Sequence, residues 1–495
     1  MFLKTNPPVV GILIIITILK SKTDDHSKKE LDDLEELMAD KMSENMFNIV
    51  KNEVEKIDSE EGGFHSGHLW KLKSRLRPKS ISYPTAIYNS EGDLVTSLDD
   101  IEKVTETHFH KVLENRPIKP HLESYQKERE QLCEQRIEEA KKCVTPPWEI
   151  TNERNVIRNL KSQKSRDPYG YSNEMFKYGG SDFQLAILKL MNQIKAKQIF
   201  PEALQPCNIT SLYKNKGTRK DLNNYRGIFR VNIFRNILDR LIYEDEYENL
   251  DLRLTDSNVG GRKGRNIVDN IFVINAITNS IRNGNEESCD VKVYDVEKCF
   301  DSLWAQECIN TLYEIGLKND KLVLLYEESK SAKIAIKTAT GITERKSIYN
   351  VIMQGSVFGT LICTCVMDKL AKLFYNDPNL LYKYKNDVDI PVLEMVDDVI
   401  SVNKCSEKSL ISNATISTFM DLNKLKLSEP KCSKIDIGKK CDQCPQLYVN
   451  DKPKKEIHGE KYLGDMISSD GKLDKTIQQR TQKAYTYLAE IKALL

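Results

Sequence analysis

Apolar residues recur at three- and four-residue steps from Leu31 to Ile57, through Leu34, Leu37, Met38, Met42, Met46, Ile49, Val50 and Val54, inside an acidic stretch from Asp24 to Glu61. This period predicts an amphipathic helix over 24–62 that packs or self-associates, with a coiled-coil seam as its tightest form. Glu61-Gly62-Gly63 ends it. Ahead of it, Val9 to Leu19 is an unbroken apolar run. It is too short for a bilayer, which takes about 20 residues. It has the length of a signal-peptide core, but no small-x-small cleavage site follows. For 1–23 the expectation is a buried or partner-bound segment, or a scar of gene rearrangement, with no stable membrane partner.

Residues 63–150 read as a helical connector. It has a basic start (Leu69 to Arg77), a turn at Asn89-Ser90-Glu91-Gly92-Asp93, and two charged helices, the second from Leu122 to Cys143 and stopped by Pro146-Pro147-Trp148. Further on the period shortens to two. Val291-Lys292-Val293-Tyr294-Asp295 predicts a strand ending on a carboxylate, and Phe300-Asp301-Ser302 a cap for a helix reaching Gly316. A hairpin from Lys333 to Val351 leads through Met353-Gln354-Gly355-Ser356 into a helix to Phe374. Leu393 to Val402 holds two apolar runs around Asp397-Asp398, a tight hairpin with the acids at its tip. A helix (Glu407 to Leu422) and a strand (Lys434 to Ile437) follow. The alternation predicts an α+β layer with the acids converging on one sheet.

The composition narrows the partners. Among 495 residues, 40% are hydrophobic, enough for real cores and for two to four domains. Lys+Arg 74 against Asp+Glu 73 gives a net charge of +1, so a polyanion must be held by local patches rather than by a global field. Three Gly-containing basic turns offer such patches: Arg154 to Arg166 before Asp167-Pro168-Tyr169-Gly170, Lys214 to Lys220 before Asn224-Tyr225-Arg226-Gly227, and Gly260-Gly261-Arg262-Lys263-Gly264-Arg265. Each alone reads more readily as a solvated loop than as a ligand site, whereas together they suit phosphate tracking. The twelve cysteines lack a framework spacing, which favours a reducing, intracellular setting in cytoplasm and nucleus. Cys441-Asp442-Gln443-Cys444 reads as two reduced thiols before it reads as a zinc site, and His65 and His68 have no cysteines near them.

Two adjacent acids repel each other and gain nothing from packing. A divalent cation between them would explain Asp397-Asp398, with a solvated turn as the plain alternative.

Several motifs in fixed order resemble the reverse transcriptases of non-LTR (LINE-type, jockey-like) retrotransposons, from about Trp70 to the C-terminus. Ser165 to Glu174 is similar to the fingers turn, Asn224 to Ile228 to the N-Y-R-P-I segment, and Gly261 to Arg265 to the G-F-R-x-G-R element. Asp295 to Asp301 matches the first palm motif, Gln354-Gly355-Ser356 the second, Met395-Val396-Asp397-Asp398 the Y/F-A-D-D box, and Lys461-Tyr462-Leu463-Gly464 the Y-L-G strand near the primer. The resemblance implies a right-hand polymerase with fingers over 151–290, palm over 291–440, and the end of the palm with the start of a thumb over 441–495.

It also implies the chemistry. Primer extension needs a 3′-hydroxyl deprotonated and pyrophosphate released, and two Mg²⁺ ions about 4 Å apart stabilise both oxygens. Mn²⁺ is the alternative ion. Asp295, with Val296 beside it, and Asp397 would hold the ions, with Asp398 in support. Phe300 would collide with a 2′-hydroxyl and so favour deoxynucleoside triphosphates. Lys214 and Arg226 would meet the triphosphate. Gln354 and Gly355 would hold the templating pair. Arg262, Lys263, Arg265, Tyr462, Leu463 and Gly464 would contact the RNA template and the DNA primer or target. Lys431 is the candidate general acid, with Lys424 and Lys426 as competitors.

The chain departs from the family pattern at Met395 (usually aromatic), Val396 (usually alanine) and Gly359-Thr360 (often Ser-Pro). The upstream endonuclease is absent, and the sequence stops at Leu495 within a helix. Two other expectations therefore stand beside the polymerase: a catalytically silent, nucleic-acid-binding remnant or domesticated protein, and an RNA-templated RNA polymerase, toward which Asp301 points.

Overall fold

The computed structural model describes residues 83–492, apart from 115, 287, 331, 349–355, 386, 405–406, 439–444, 455 and 473. The apolar run at 9–19, the 31–57 helix, the basic start at 69–77, Gln354, Gly355 and the Cys441 to Cys444 segment lie outside the described residues. Everything below belongs to the compact unit Ser82–Gln479.

Strands and helices mix as an α+β fold. The central sheet is antiparallel, in the order Leu393–Met395, Asp398–Lys404, Cys289–Asp295, Ser433–Ile437. Its middle strand alternates in sequence but is buried along almost its whole length. On one face Val291, Val293, Ile400, Val402, Ile435 and Ile437 pack against Ile274, Ile277 and Ile281 of the helix Ile267–Arg282. The polar face is covered too, by the helix Glu407–Leu422. There Lys292 Nζ donates to the Ser409 carbonyl at 2.7 Å and lies 3.4 Å from Asp290, while Tyr294 Oη donates to Asn413 at 3.1 Å. A buried lysine is tolerated because its ammonium is both hydrogen-bonded and paired.

A second sheet carries the hairpin Pro206–Tyr213 and Tyr225–Val231. The Lys333–Lys337 strand, which opens the hairpin predicted from Lys333 to Val351, lies apart from the sheet of acids. It joins this second sheet, parallel to Pro206–Tyr213, and the hairpin closes through Lys333 and Ile334 pairing with Ser347 and Lys346 and a bridge between Lys337 and Ile342. Alternation gives a strand's faces but not its neighbour, and this pairing is non-local. The helix expected from Ser302 is also in two pieces, Cys299–Ser302 and Ala305–Glu314. Ser302 Oγ donates back to the Lys298 carbonyl at 2.9 Å rather than capping, and the 2% exposed Trp304 turns into the core between the two.

Of the other expected elements, Glu123–Ala140 and Val357–Asn376 form within a few residues of their predicted ends, and Leu98–Leu113 is the first of the two connector helices. Asn89 Oδ1 accepts from Glu91 N at 3.0 Å and Asp93 N at 2.8 Å, closing the small hairpin between Ile87–Tyr88 and Leu94–Val95. Among the described residues no helix is long and apolar enough to cross a membrane.

Candidate active site

Met395 pairs with Asp398, leaving Val396 and Asp397 as a two-residue loop. Val396 has φ +61°. A positive φ at the first loop position alone is the type II′ pattern, a position glycine usually takes. Asp398 lies opposite Asp295 on the next strand. Opposed residues of antiparallel strands project to one face, so these two carboxylates are neighbours. Asp295 ends its strand because the chain leaves the sheet there, with Lys298 at φ +50° opening the Cys299–Ser302 helix.

One open cleft is lined by Asp295, Val296, Phe300, Asp301, Asp397 and Asp398, and also by Lys214, Arg226 and Lys431. Burial, then Asp398 and Asp295, push the Asp397 carboxyl up to about 7. Burial and Asp295 push Asp398 up to about 6. Lys431 Nζ donates to both oxygens of Asp295, at 2.9 and 3.0 Å. Asp295, Asp397 and Asp398 thus share a cleft whose lining also carries the cations Lys214, Arg226 and Lys431. The all-oxygen donor set of the acids suits a hard cation. Among the described residues no three acids form a closed cage.

Lys214 directly follows the strand residue Tyr213, and Arg226 pairs with Leu212 across the hairpin, so the fold of one hairpin brings both cations to the cleft. Lys214 Nζ donates to the Asn223 carbonyl at 2.7 Å. Burial first, then Arg226, Lys298 and Lys431, lower its pKa. Phe300 is half-buried against the main core. Of the competing lysines, Lys424 Nζ stacks over Trp304 at 4.4 Å and lines a different cleft. Lys426 lies 3.8 Å from Glu297.

Residues 214–483, more than half of the chain, match the family model described as reverse transcriptase (RNA-dependent DNA polymerase). The chain belongs to the reverse transcriptase family. Membership indicates RNA-directed DNA polymerase activity, with template and primer nucleic acid and deoxynucleoside triphosphates as substrates. Enzymes of this family generally use divalent metals.

Other predicted residues of this reverse transcriptase sit differently. Arg262 was expected to face nucleic acid, yet its side chain is 5% exposed. It donates to Asp251 Oδ1 at 2.7 Å and to the carbonyls of Asp251, Thr255 and Asn258, so it braces its own loop. Lys263 is exposed, its Nζ 4.4 Å over the Tyr247 ring, and the exposed Arg265 pairs with Asp256. Tyr462 is buried in the core against the central sheet. Asn270 Nδ2 donates to its hydroxyl at 3.5 Å. Leu463 (φ +48°) and Gly464 (φ +102°) form the loop between Gly459–Tyr462 and Asp465–Ser468.

Sequence reasoning missed His108 and Lys298, which also line the cleft. Burial, then Lys298, lower His108 to about 4 and keep its ring neutral. It comes from a helix read only as connector. It also missed Asn258, just ahead of the basic glycine turn. No local pattern marks His108 or Asn258, because the groups they face lie far along the chain, whereas Lys298 lies within the Asp295 to Asp301 stretch.

Proposed function

We propose that the protein is the RNA-directed DNA polymerase of a non-LTR (LINE-type, jockey-like) retrotransposon, with fingers over 151–290 and palm over 291–440, extending a DNA primer on an RNA template. The observation that carries this reading is the register of Asp398 against Asp295, which gathers three acids into the cleft that Lys214 and Arg226 also line.

Asp295 and Asp397 are the residues to hold two Mg²⁺ ions, with Val296 beside them and Asp398 in support. A metal held by these residues would supply a lowered pKa for the primer 3′-hydroxyl and positive charge against the leaving pyrophosphate. Lys214 supplies a point charge, and Arg226 a forked donor, to the triphosphate. The Phe300 ring fills the space beside the sugar C2′ and disfavours ribonucleotides. Lys431 already reaches the acids, which supports it over Lys424 as proton donor to pyrophosphate.

Primer extension on poly(rA)/oligo(dT) with purified protein and Mg²⁺ tests the reading, with Asp397→Ala as control. Incorporation by the wild type and none by the variant is expected. Incorporation that survives Asp397→Ala overturns the site. A folded wild type without incorporation leaves the catalytically silent remnant instead.

A further inference from the structure

Val396 carries the most demanding backbone of the hairpin. Its φ of +61° is a region in which a β-branched residue is a genuine outlier. Such a conformation persists only where its surroundings over-determine it. Here a single side chain does so. Asn258 is 0% exposed. Its Oδ1 accepts from Val396 N at 3.1 Å, and its Nδ2 donates to the Val396 carbonyl at 3.3 Å. Both backbone groups of the residue that precedes Asp397 are therefore satisfied by one carboxamide.

Asn258 is itself fixed from three sides. Its neighbours pair with the hairpin's outer strand, Val259 N to the Glu394 carbonyl at 3.1 Å and Glu394 N to the Ser257 carbonyl at 2.9 Å. Arg262 donates to its carbonyl at 3.1 Å. Oδ1 also accepts from Gly260 N at 3.0 Å, and the Gly260 carbonyl accepts from Thr364 Oγ1 at 2.9 Å. The fit against the turn is close. A Cβ at Gly260 would lie 2.4 Å from both Val396 N and Val396 Cγ2, so only glycine is accommodated.

We infer that Asn258 is a positioning residue for nucleotidyl transfer: it clamps the Val396-Asp397 turn, and with it the turn carboxylates, in the geometry the reaction uses. This rests on the polymerase reading above. The clamp holds the acids and touches neither Lys214 nor Arg226, so its loss should act on turnover rather than on nucleotide binding.

The test compares wild type, Asn258→Ala and the double variant Asn258→Ala/Val396→Gly in primer extension. In Asn258→Ala, kcat falls about ten- to a hundredfold with the KM for nucleotide within about twofold, since small misplacement of catalytic groups costs on this order. Glycine adopts positive φ without help. The double variant therefore recovers most of the lost kcat, a rescue that general destabilisation would not give. An unchanged kcat in Asn258→Ala, a proportionate rise in KM, or no recovery in the double variant each overturns the inference.

Amide exchange over residues 393–399 reads the clamp without turnover. The Val396 amide is protected in wild type and exchanges at least about tenfold faster in Asn258→Ala. Equal rates overturn the inference. Should the wild type extend no primer, the polymerase reading fails and the catalytic role of Asn258 with it, while the exchange arm still decides whether Asn258 clamps the turn. Asn258→Asp keeps the acceptor and loses the donor, and replaces the alanine variant, with the same expected and contrary results, if the latter does not fold.

Discussion

Asp398 stands directly opposite Asp295 on the neighbouring antiparallel strand, and both project from the same face of the central sheet. Opposed side chains of this kind start about 4.5–5.5 Å apart at Cβ. Two carboxylates held so close oppose folding until a cation joins them. Lys431 supplies part of that charge from the Asp295 side.

Removing one acid should therefore stabilise the metal-free protein while destroying its activity. Asp398→Asn is expected to melt about 1 °C higher than wild type in EDTA at pH 8, the shift that about 1 kcal/mol gives a unit spanning Ser82–Gln479. Its primer extension should fall by about a hundredfold or more. Calorimetry beside the extension assay checks both signs.

Phe300 borders the cleft of the acids. Phe300→Ala should admit the 2′-hydroxyl and raise ribonucleotide incorporation relative to deoxynucleotide by about a hundredfold, within reach of a steric pocket change. The ratio of kcat/KM for UTP and dTTP measures it. An unchanged ratio moves the sugar gate elsewhere.

Arg262 and Arg265 lie three residues apart and should behave differently. Arg262 is buried in its ion pair with Asp251, so Arg262→Ala should lose about 3 kcal/mol of stability. Arg265 is exposed, and Arg265→Ala should leave the melt unchanged and alter only the salt dependence of nucleic-acid binding. Thermal melts and salt titrations of binding separate the two.

Glu153 is 0% exposed, and neither carboxyl oxygen has a hydrogen-bond partner among the described residues. Burial pushes its pKa up to about 7. The folded state thus binds more protons than the unfolded one between about 4.5 and 7. Its contribution is complete below the unfolded pKa and is lost as pH rises through 7. Melting curves of wild type and Glu153→Gln should diverge over that window, with the glutamine variant relatively more stable at pH 8 and the difference shrinking toward pH 5.

The acids were legible because each lies at a place that local pattern marks: Asp295 at the end of an alternating run, Asp397 and Asp398 between two apolar runs. The helix Glu407–Leu422 and the strand Ser433–Ile437 were legible for the same reason. What escaped depends on partners far along the chain. Lys292 reads as a solvent-facing residue until Ser409 covers it, and Arg262 as a phosphate ligand until Asp251 takes it. Val396 reads as a bulky replacement beside the acids. Its backbone angle, and the Asn258 carboxamide that sustains it, become visible only in three dimensions.

The order of strands in the central sheet also bears on how the protein is made. Cys289–Asp295 lies in the middle, yet it leaves the ribosome before both of its neighbours, Asp398–Lys404 and Ser433–Ile437. Until about a hundred more residues have been synthesised, at roughly 5–20 per second, its two edges have no native partner. Exposed strand edges invite pairing with other chains. The segment that presents Asp295 is therefore one that gains from shielding during translation.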